Sequence, residues 1–285
     1  DNHIINVNTY GCHQSVIHHH FGFITMSEKR KVILETRKLT KHYGGVQALI
    51  DADFTMYADE HVAIVGDNGA GKSTFVRNIT GVEQRTSGDV IFDSESVNFA
   101  APSEARAKGI ETVYQNLALA DHLDVPSNIF LGREEVYFKA GPLSWLNKKA
   151  MQKRSIELLE ETGIKIPDLS QPVAGMSGGQ RQCVAISRAA GWGSKLIIMD
   201  EPTAALGIQE TTRVETIIRG LKERGVPVII ISHNLRQVFN LVDRIIVFRQ
   251  GRIAGVLNAE EASGNDVVAM ITGLDQGVHD NASYI

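Results

Sequence analysis

Gly66-Asp67-Asn68-Gly69-Ala70-Gly71-Lys72-Ser73-Thr74 stands between a short apolar run, His61–Val65, and a stretch of helical periodicity, Lys72–Thr80, that stops at Gly81. It satisfies G-x-x-x-x-G-K-[ST] in the strand–loop–helix context that the pattern needs. The glycines let successive backbone N–H groups wrap a phosphate, and the helix that starts at Lys72 adds its positive dipole end. Lys72 is expected to reach the β- and γ-phosphates of a nucleoside triphosphate, and the Ser73 hydroxyl to ligate Mg²⁺. Gly66, Asn68, Gly69, Ala70, Gly71 and Thr74 complete the expected phosphate cradle.

Outward from this loop the chain alternates. Upstream, Val32–Arg37 and Ala48–Met56 read as strands. Downstream, Asp89–Phe92 and Glu111–Tyr114 read as strands, and Lys148–Thr162 as a helix closed by Gly163 in the C′ position. The last third repeats the pattern: helix Gly178–Ala190, strand Lys195–Met199, helix Gln209–Arg224, strand Pro227–Ile231, helix Leu235–Leu241, strand Arg244–Phe248. Strands that alternate with helices of this length predict a mainly parallel sheet covered on both faces. One of these strands, Leu196-Ile197-Ile198-Met199, runs into Asp200-Glu201. An apolar strand delivering a carboxylate at its C-terminal end suits a second Mg²⁺ contact, Asp200, and Glu201 beside it suits a general base for an attacking water.

Composition narrows the class. The chain has 285 residues, 43% hydrophobic and 22% charged, with 26 Gly and 7 Pro. That is ordinary globular composition and excludes a disordered, collagenous or disulfide-stapled protein. A net charge of −4 argues against a dedicated nucleic-acid binder. Two cysteines, Cys12 and Cys183, cannot form a disulfide framework and fit a reducing compartment. No apolar run reaches the ~18 residues of a membrane span. Residues 1–25 read differently from the rest, with Asp1 as their one charged residue and five of the ten histidines. Their apolar stretch is broken by His18-His19-His20, which rules out a secretory signal. Metal binding by that tract is the lesser alternative; a non-native or mis-assigned tail before Met26 is the preferred reading.

Met176-Ser177-Gly178-Gly179-Gln180 carries the decisive signal. Ser at the N-cap with Gln three residues on is a capping box. That explains Ser177 and Gln180 but not two glycines in a first helical turn, where each costs ~1 kcal/mol relative to Ala. Small residues there let a second helix N-terminus approach an anion. Here the chain resembles the ATP-binding-cassette (ABC) ATPases, whose signature Ser-Gly-Gly-Gln precedes the second acidic motif as it does in this sequence.

The resemblance runs from about Val32 to Gly273 and implies an α/β fold: a P-loop NTPase core with a mainly parallel sheet, an antiparallel β subdomain and a helical signature subdomain at about 116–176. It implies one ATP-binding domain over 31–275, followed by a C-terminal tail at 276–285. It makes Tyr43 the aromatic that stacks on adenine. Gln115 becomes the glutamine that touches Mg²⁺ and water, and His233 the switch histidine on the γ-phosphate. One position departs from the family pattern: Gly207 stands where most members carry an Asp that helps cross-link two subunits. Ala204-Ala205-Leu206-Gly207 and Ser127-Asn128-Ile129-Phe130-Leu131-Gly132-Arg133-Glu134 are similar to the ATPases of bacterial monosaccharide importers of the ribose, xylose and fructose type.

With one cassette in the chain, the resemblance implies a homodimer that sandwiches two ATP molecules. Each site would join Lys72, Ser73, Gln115, Asp200, Glu201 and His233 of one copy to Ser177, Gly178, Gly179 and Gln180 of the other. It further implies a permease that docks between Gln115 and Lys139, an extracytoplasmic sugar-binding protein, and a place on the cytoplasmic face of a bacterial inner membrane. An importer ATPase for an amino acid or nucleoside, or a soluble cassette without a transporter, are the alternatives. Cys183 and Ile186, spaced i, i+3 on the signature helix, are expected in the core.

Overall fold

A computed structural model describes residues 30–140, 143–164 and 166–274; the readings placed on residues 1–25 and 276–285 lie outside the described residues. Two twelve-residue strands, β1 (Val32–Tyr43) and β2 (Val46–Tyr57), pair antiparallel about a Gly44-Gly45 turn. Both are longer than their sequence pattern predicts, because a register shift between Thr36 and Leu39 breaks the alternation of β1, and the first residues of β2, Val46 and Gln47, face solvent. The short buried strand β3 (His61–Val65) leads into α1 (Lys72–Ile79). A hairpin of β4 (Ser87–Phe92) and β5 (Glu95–Val97) follows, then α2 (Pro102–Lys108) and β6 (Ile110–Val113).

The next segment holds α3 (Val125–Ile129), a two-stranded hairpin of β7 (Val136–Ala140) and β8 (Leu143–Leu146), and α4 (Lys148–Glu161). The region expected to be helical therefore also carries a β-hairpin. The remainder alternates as α5 (Gly178–Ala190), β9 (Leu196–Asp200), α6 (Ile208–Glu223), β10 (Val228–Ile231), α7 (Leu235–Leu241), β11 (Arg244–Arg249), β12 (Arg252–Asn258) and α8 (Gly264–Thr272).

The central sheet has the order β12-β11-β3-β10-β9-β6 and is parallel except for β12 at its edge. Its inner strands are continuous apolar runs, as strands covered on both faces must be; Val228, Ile229, Ile230 and Ile231 are all buried. The pleat sends their side chains into two cores. Val62, Ile64, Ile198 and Ile229 pack with α1 and with a second, antiparallel sheet of order β2-β1-β4-β5. Ala63, Val65, Ile197 and Met199 pack on the opposite face with α4, α5 and α6.

Phe75 fixes α1 between the two sheets, with ring centroids 5.3 Å from Phe54 and 5.4 Å from Phe248. Asp93, in the β4–β5 turn, pairs with Lys31 and with Lys195 at the start of the β9 segment, and those ammonium groups hold its carboxyl at about 2. Cys183 and Ile186 lie in the second core, and burial pushes the Cys183 thiol up to about 11, so it acts as a small hydrophobe. Among the described residues no helix is long and apolar enough to cross a membrane.

Candidate functional site

The loop after β3 is shaped by glycines packed against neighbouring strands. Gly66 has φ 147°, and a Cβ there would lie 2.3 Å from the Phe248 carbonyl oxygen on β11. Gly71 has φ 106°, and a Cβ there would lie 2.9 Å from the Ala48 carbonyl oxygen on β2. Gly69 differs: its φ is 79°, but nothing lies within 4 Å of where a Cβ would stand, so it faces open space. Ala70 accepts a hydrogen bond from the Gly251 N–H in the β11–β12 turn at 2.9 Å, which braces the loop from behind.

Helix α1 begins at N-cap Gly71 with no side-chain cap and no acid in its first turn. Its first N–H groups are thus left for an anion. Lys72 folds back over the loop, and Nζ donates to the Gly66 and Asp67 carbonyls at 2.7 and 2.9 Å. Burial lowers the Lys72 pKa, opposed by Glu201, Asp67 and Asp200. These features fit a polyphosphate: unspent amides, an open glycine and an amine whose present partners are only carbonyls.

Three neighbouring strands end beside this loop. In the order β3-β10-β9, Ile64 stands opposite Ile231, and Ile231 opposite Asp200. Ligands of open α/β sheets sit at such carboxyl ends. Asp200 is half-buried, and burial and then the adjacent Glu201 charge raise its carboxyl pKa against Lys72 and Arg77. It accepts no hydrogen bond among the described residues, and Ser73 at the head of α1 is exposed. One unspent carboxylate with one hydroxyl, facing a phosphate cradle, fits the sparse protein ligation typical of Mg²⁺.

Glu201 has φ 49° and its N–H donates to the Ile231 carbonyl at 2.9 Å. Its Oε1 lies 2.7 Å from Nδ1 of His233, which stands two residues beyond β10 and is largely exposed. Gln115 follows β6, the strand beyond β9, so it belongs to the same edge and is exposed there. Tyr43 ends β1 on the flank of α1, where Thr74 is among its partners. Its hydroxyl bonds Glu83, and the Lys41 amine lies 5.0 Å from the ring centroid.

The capping box at α5 is present: Ser177 Oγ accepts from the Gln180 N–H at 3.3 Å, and Gln180 Oε1 accepts from the Ser177 N–H at 3.0 Å. The glycines inside it have a partner that sequence reasoning missed. The Gly179 N–H donates to Glu210 Oε1 at 3.2 Å, and the Gly207 N–H donates to Glu210 Oε2 at 3.2 Å. Bonds from Ser177, Gly207 and Gly179 hold the Glu210 carboxyl below its ordinary range. A sequence signal existed in the acid three residues after Gly207, the N-cap of α6, although that spacing indicates only a cap for its own helix. Among the described residues no hydrogen bond joins Ser177–Gln180 to the loop at 66–74.

A cleft of about 270 Å³ opens between α2, β6 and α5, lined in part by Arg106, Glu111, Leu131, Arg133, Arg188 and Trp192. Arg133 pairs with the buried Glu111 and lies 5.2 Å from the Trp192 ring centroid. Burial raises the Glu111 carboxyl and the Arg133 hydrogen bond opposes it. Arg188 on α5 donates to the Leu117 and Ala118 carbonyls at 2.8 Å each. Those two residues have φ 59° and 47°, so the signature helix holds the turn that follows Gln115.

The ABC transporter family model matches residues 49–204. The chain is 46% identical over 246 residues to the fructose import ATP-binding protein FrcA of Rhizobium meliloti, covering 85% of this chain and 94% of that protein. It is 42% identical over 245 residues to the xylose/arabinose import ATP-binding protein XylG of Sulfolobus acidocaldarius, covering 86% and 96%. Among solved structures it is similar to the ADP conformation of MJ1267, an ATP-binding cassette of an ABC transporter, with a TM-score of 0.71 and 27% identity over 85% of this chain and 99% of the other.

Proposed function

The chain belongs to the ABC transporter family of ATP-binding proteins, and we propose that it is the ATP-hydrolysing subunit of an importer that takes up a monosaccharide. The observation that carries the reading is the convergence at one sheet edge of the 66–74 loop, His233, Asp200-Glu201 and Gln115, from four adjacent strands. In that site Lys72 exchanges its two carbonyl partners for β- and γ-phosphate oxygens, while the first amides of α1 bind the phosphates and Tyr43 flanks the adenine. Ser73, Asp200 and Gln115 would hold Mg²⁺, which when bound neutralises charge on the phosphate oxygens. Glu201 accepts the proton of the attacking water, and its bond to His233 keeps that carboxylate aimed.

Ser177–Gln180 serves the nucleotide of a second copy. Two observations support this: the signature makes no bond to the loop of its own chain among the described residues, and the adjacent Ile208 is 89% exposed. A bare apolar residue at the start of α6 suits a face that another copy covers. ATP binding closes the pair and hydrolysis opens it. The cleft beside Gln115 takes the permease, because Arg188 ties its wall to the signature helix. In this reading the subunit works on the cytoplasmic face of the membrane, and delivery of substrate falls to a separate binding protein. The names of the relatives, fructose and xylose/arabinose import, indicate a sugar as cargo.

The test is uptake of labelled monosaccharides in cells whose chromosomal copy carries Lys72→Ala. Loss of uptake for one sugar, with amino-acid and nucleoside uptake intact, is the expected result. Intact sugar uptake together with loss of another solute would overturn the assignment of cargo.

A further inference from the structure

The start of α5 and the start of α6 meet at one carboxylate. Gly179 lies in the first turn of α5 and Gly207 at the N-cap of α6, yet their N–H groups donate to the two oxygens of Glu210, each at 3.2 Å. Two helix N-termini brought together place two positive dipole ends side by side, and a negative charge between them offsets the repulsion. Gly207 has no side chain with which to cap α6, so Glu210 reaches back from one turn further on.

The same reach explains Gly179. A Cβ there would lie 2.7, 2.8 and 2.9 Å from Cγ, Cβ and Cδ of Glu210, so the missing methyl is the space that the glutamate stem fills. Gly178 meets only Leu206, with Cδ2 at 3.3 Å from its notional Cβ. Around this pair the surface is open: Ser177, Gly207 and Ile208 are exposed.

We infer that Glu210 is a positioning residue for ATP turnover: from α6 it fixes the Ser177–Gln180 turn against Gly207 and presents both as one rigid surface to the nucleotide on a second copy. This rests on the proposal that the nucleotide is shared between two copies. A turn held from two sides binds without the ordering cost that a loose turn incurs. Removal of the carboxylate therefore weakens association across the nucleotide and leaves binding within one chain alone.

The experiment compares Glu210→Ala and Glu210→Gln with their parent. Dimerisation is followed by sedimentation against ATP concentration in a Glu201→Gln background, which slows hydrolysis. Turnover is followed with Glu201 intact, and binding of a fluorescent ADP and thermal melting are measured on each chain. Glu210→Ala is expected to need about tenfold more ATP to dimerise, equivalent to ~1.4 kcal/mol. KM for ATP should rise while kcat, ADP affinity and melting stay within about twofold or a few degrees. Glu210→Gln keeps one acceptor oxygen and should fall between the two; being isosteric, it also serves if the alanine variant folds poorly.

Equal dimerisation of all three chains would overturn the role of Glu210. Tighter dimerisation without the carboxylate would overturn it too, since Glu210 would then be a competitor for the phosphate. A parallel loss of melting temperature and ADP affinity would reduce Glu210 to a structural cap. Failure of the parent itself to dimerise with ATP would instead refute the shared site, and this role with it.

Discussion

Glu201 is a non-glycine residue in the left-handed region, with φ 49°. Such a conformation costs ~1 kcal/mol or more and persists where the surroundings impose it. Here they do: the β9 strand has just ended, the N–H is tied to Ile231, and the carboxylate is drawn to His233. The strain turns the side chain out of the strand direction and toward the 66–74 loop, where its charge acts on Lys72. If Glu201 is the group that takes the proton from water, Glu201→Gln removes the acceptor without changing size. Hydrolysis should fall by about 10²-fold or more while ATP affinity is retained. Phosphate release and equilibrium nucleotide binding on the same preparation check this; equal loss of both would make Glu201 a binding residue instead.

At the scale of the element, the glycines of the phosphate loop have two different jobs. Gly66 lets the end of β3 pass against β11, with the Phe248 carbonyl in the space of a Cβ, whereas Gly69 touches nothing. Gly66→Ala should therefore cost stability, by roughly 2–4 kcal/mol as with other overpacked or strained core sites. Gly69→Ala should cost only the ~1 kcal/mol of its positive φ and yet weaken ATP binding, because the new methyl occupies the open side of the loop. Chemical denaturation separates the two variants in stability, and nucleotide titration separates them in affinity. The reverse ranking would mean that the open side of the loop is not the phosphate side.

At the scale of the whole molecule, the carboxyl edge of the central sheet and the Ser177–Gln180 turn share no hydrogen bond among the described residues, as the proposed shared site requires. Lys72→Ala should remove phosphate binding from the first, and Ser177→Arg should block the second. Each variant alone then forms dimers with two damaged sites. A mixture forms heterodimers in which one site bears both lesions and the other neither, so ATPase activity should partly return and peak near equal amounts. Phosphate release against mixing ratio is the measurement. A flat, inactive profile with subunit exchange confirmed would show that each chain works alone.

Much of this was legible before any fold was known, for one physical reason: it is local. The 66–74 loop, the acid pair at the end of β9 and the capping box of α5 are contiguous runs whose chemistry follows from residue type and spacing. The buried strands were equally plain, because coverage on both faces forces unbroken apolar runs such as Val228–Ile231. Strand β12 was missed because its half-buried positions are Ile253, Gly255 and Leu257 while Val256 faces out, which hides the alternation in the sequence, although Gln250 and Gly251, with φ 49° and 78°, mark the hairpin turn before it. The β7–β8 hairpin, exposed at Tyr137 and Trp145, left no pattern either. What tertiary structure alone decided is which distant residues share a charge or a bond. His233 meets Glu201 because β10 lies beside β9, Arg188 reaches the Leu117 and Ala118 carbonyls because α5 crosses that turn, and Glu210 serves two helices because α5 and α6 start side by side. Periodicity records which face of an element is buried; the order in which elements pack, and so the partners of their polar ends, is settled only when the two cores close around the sheet.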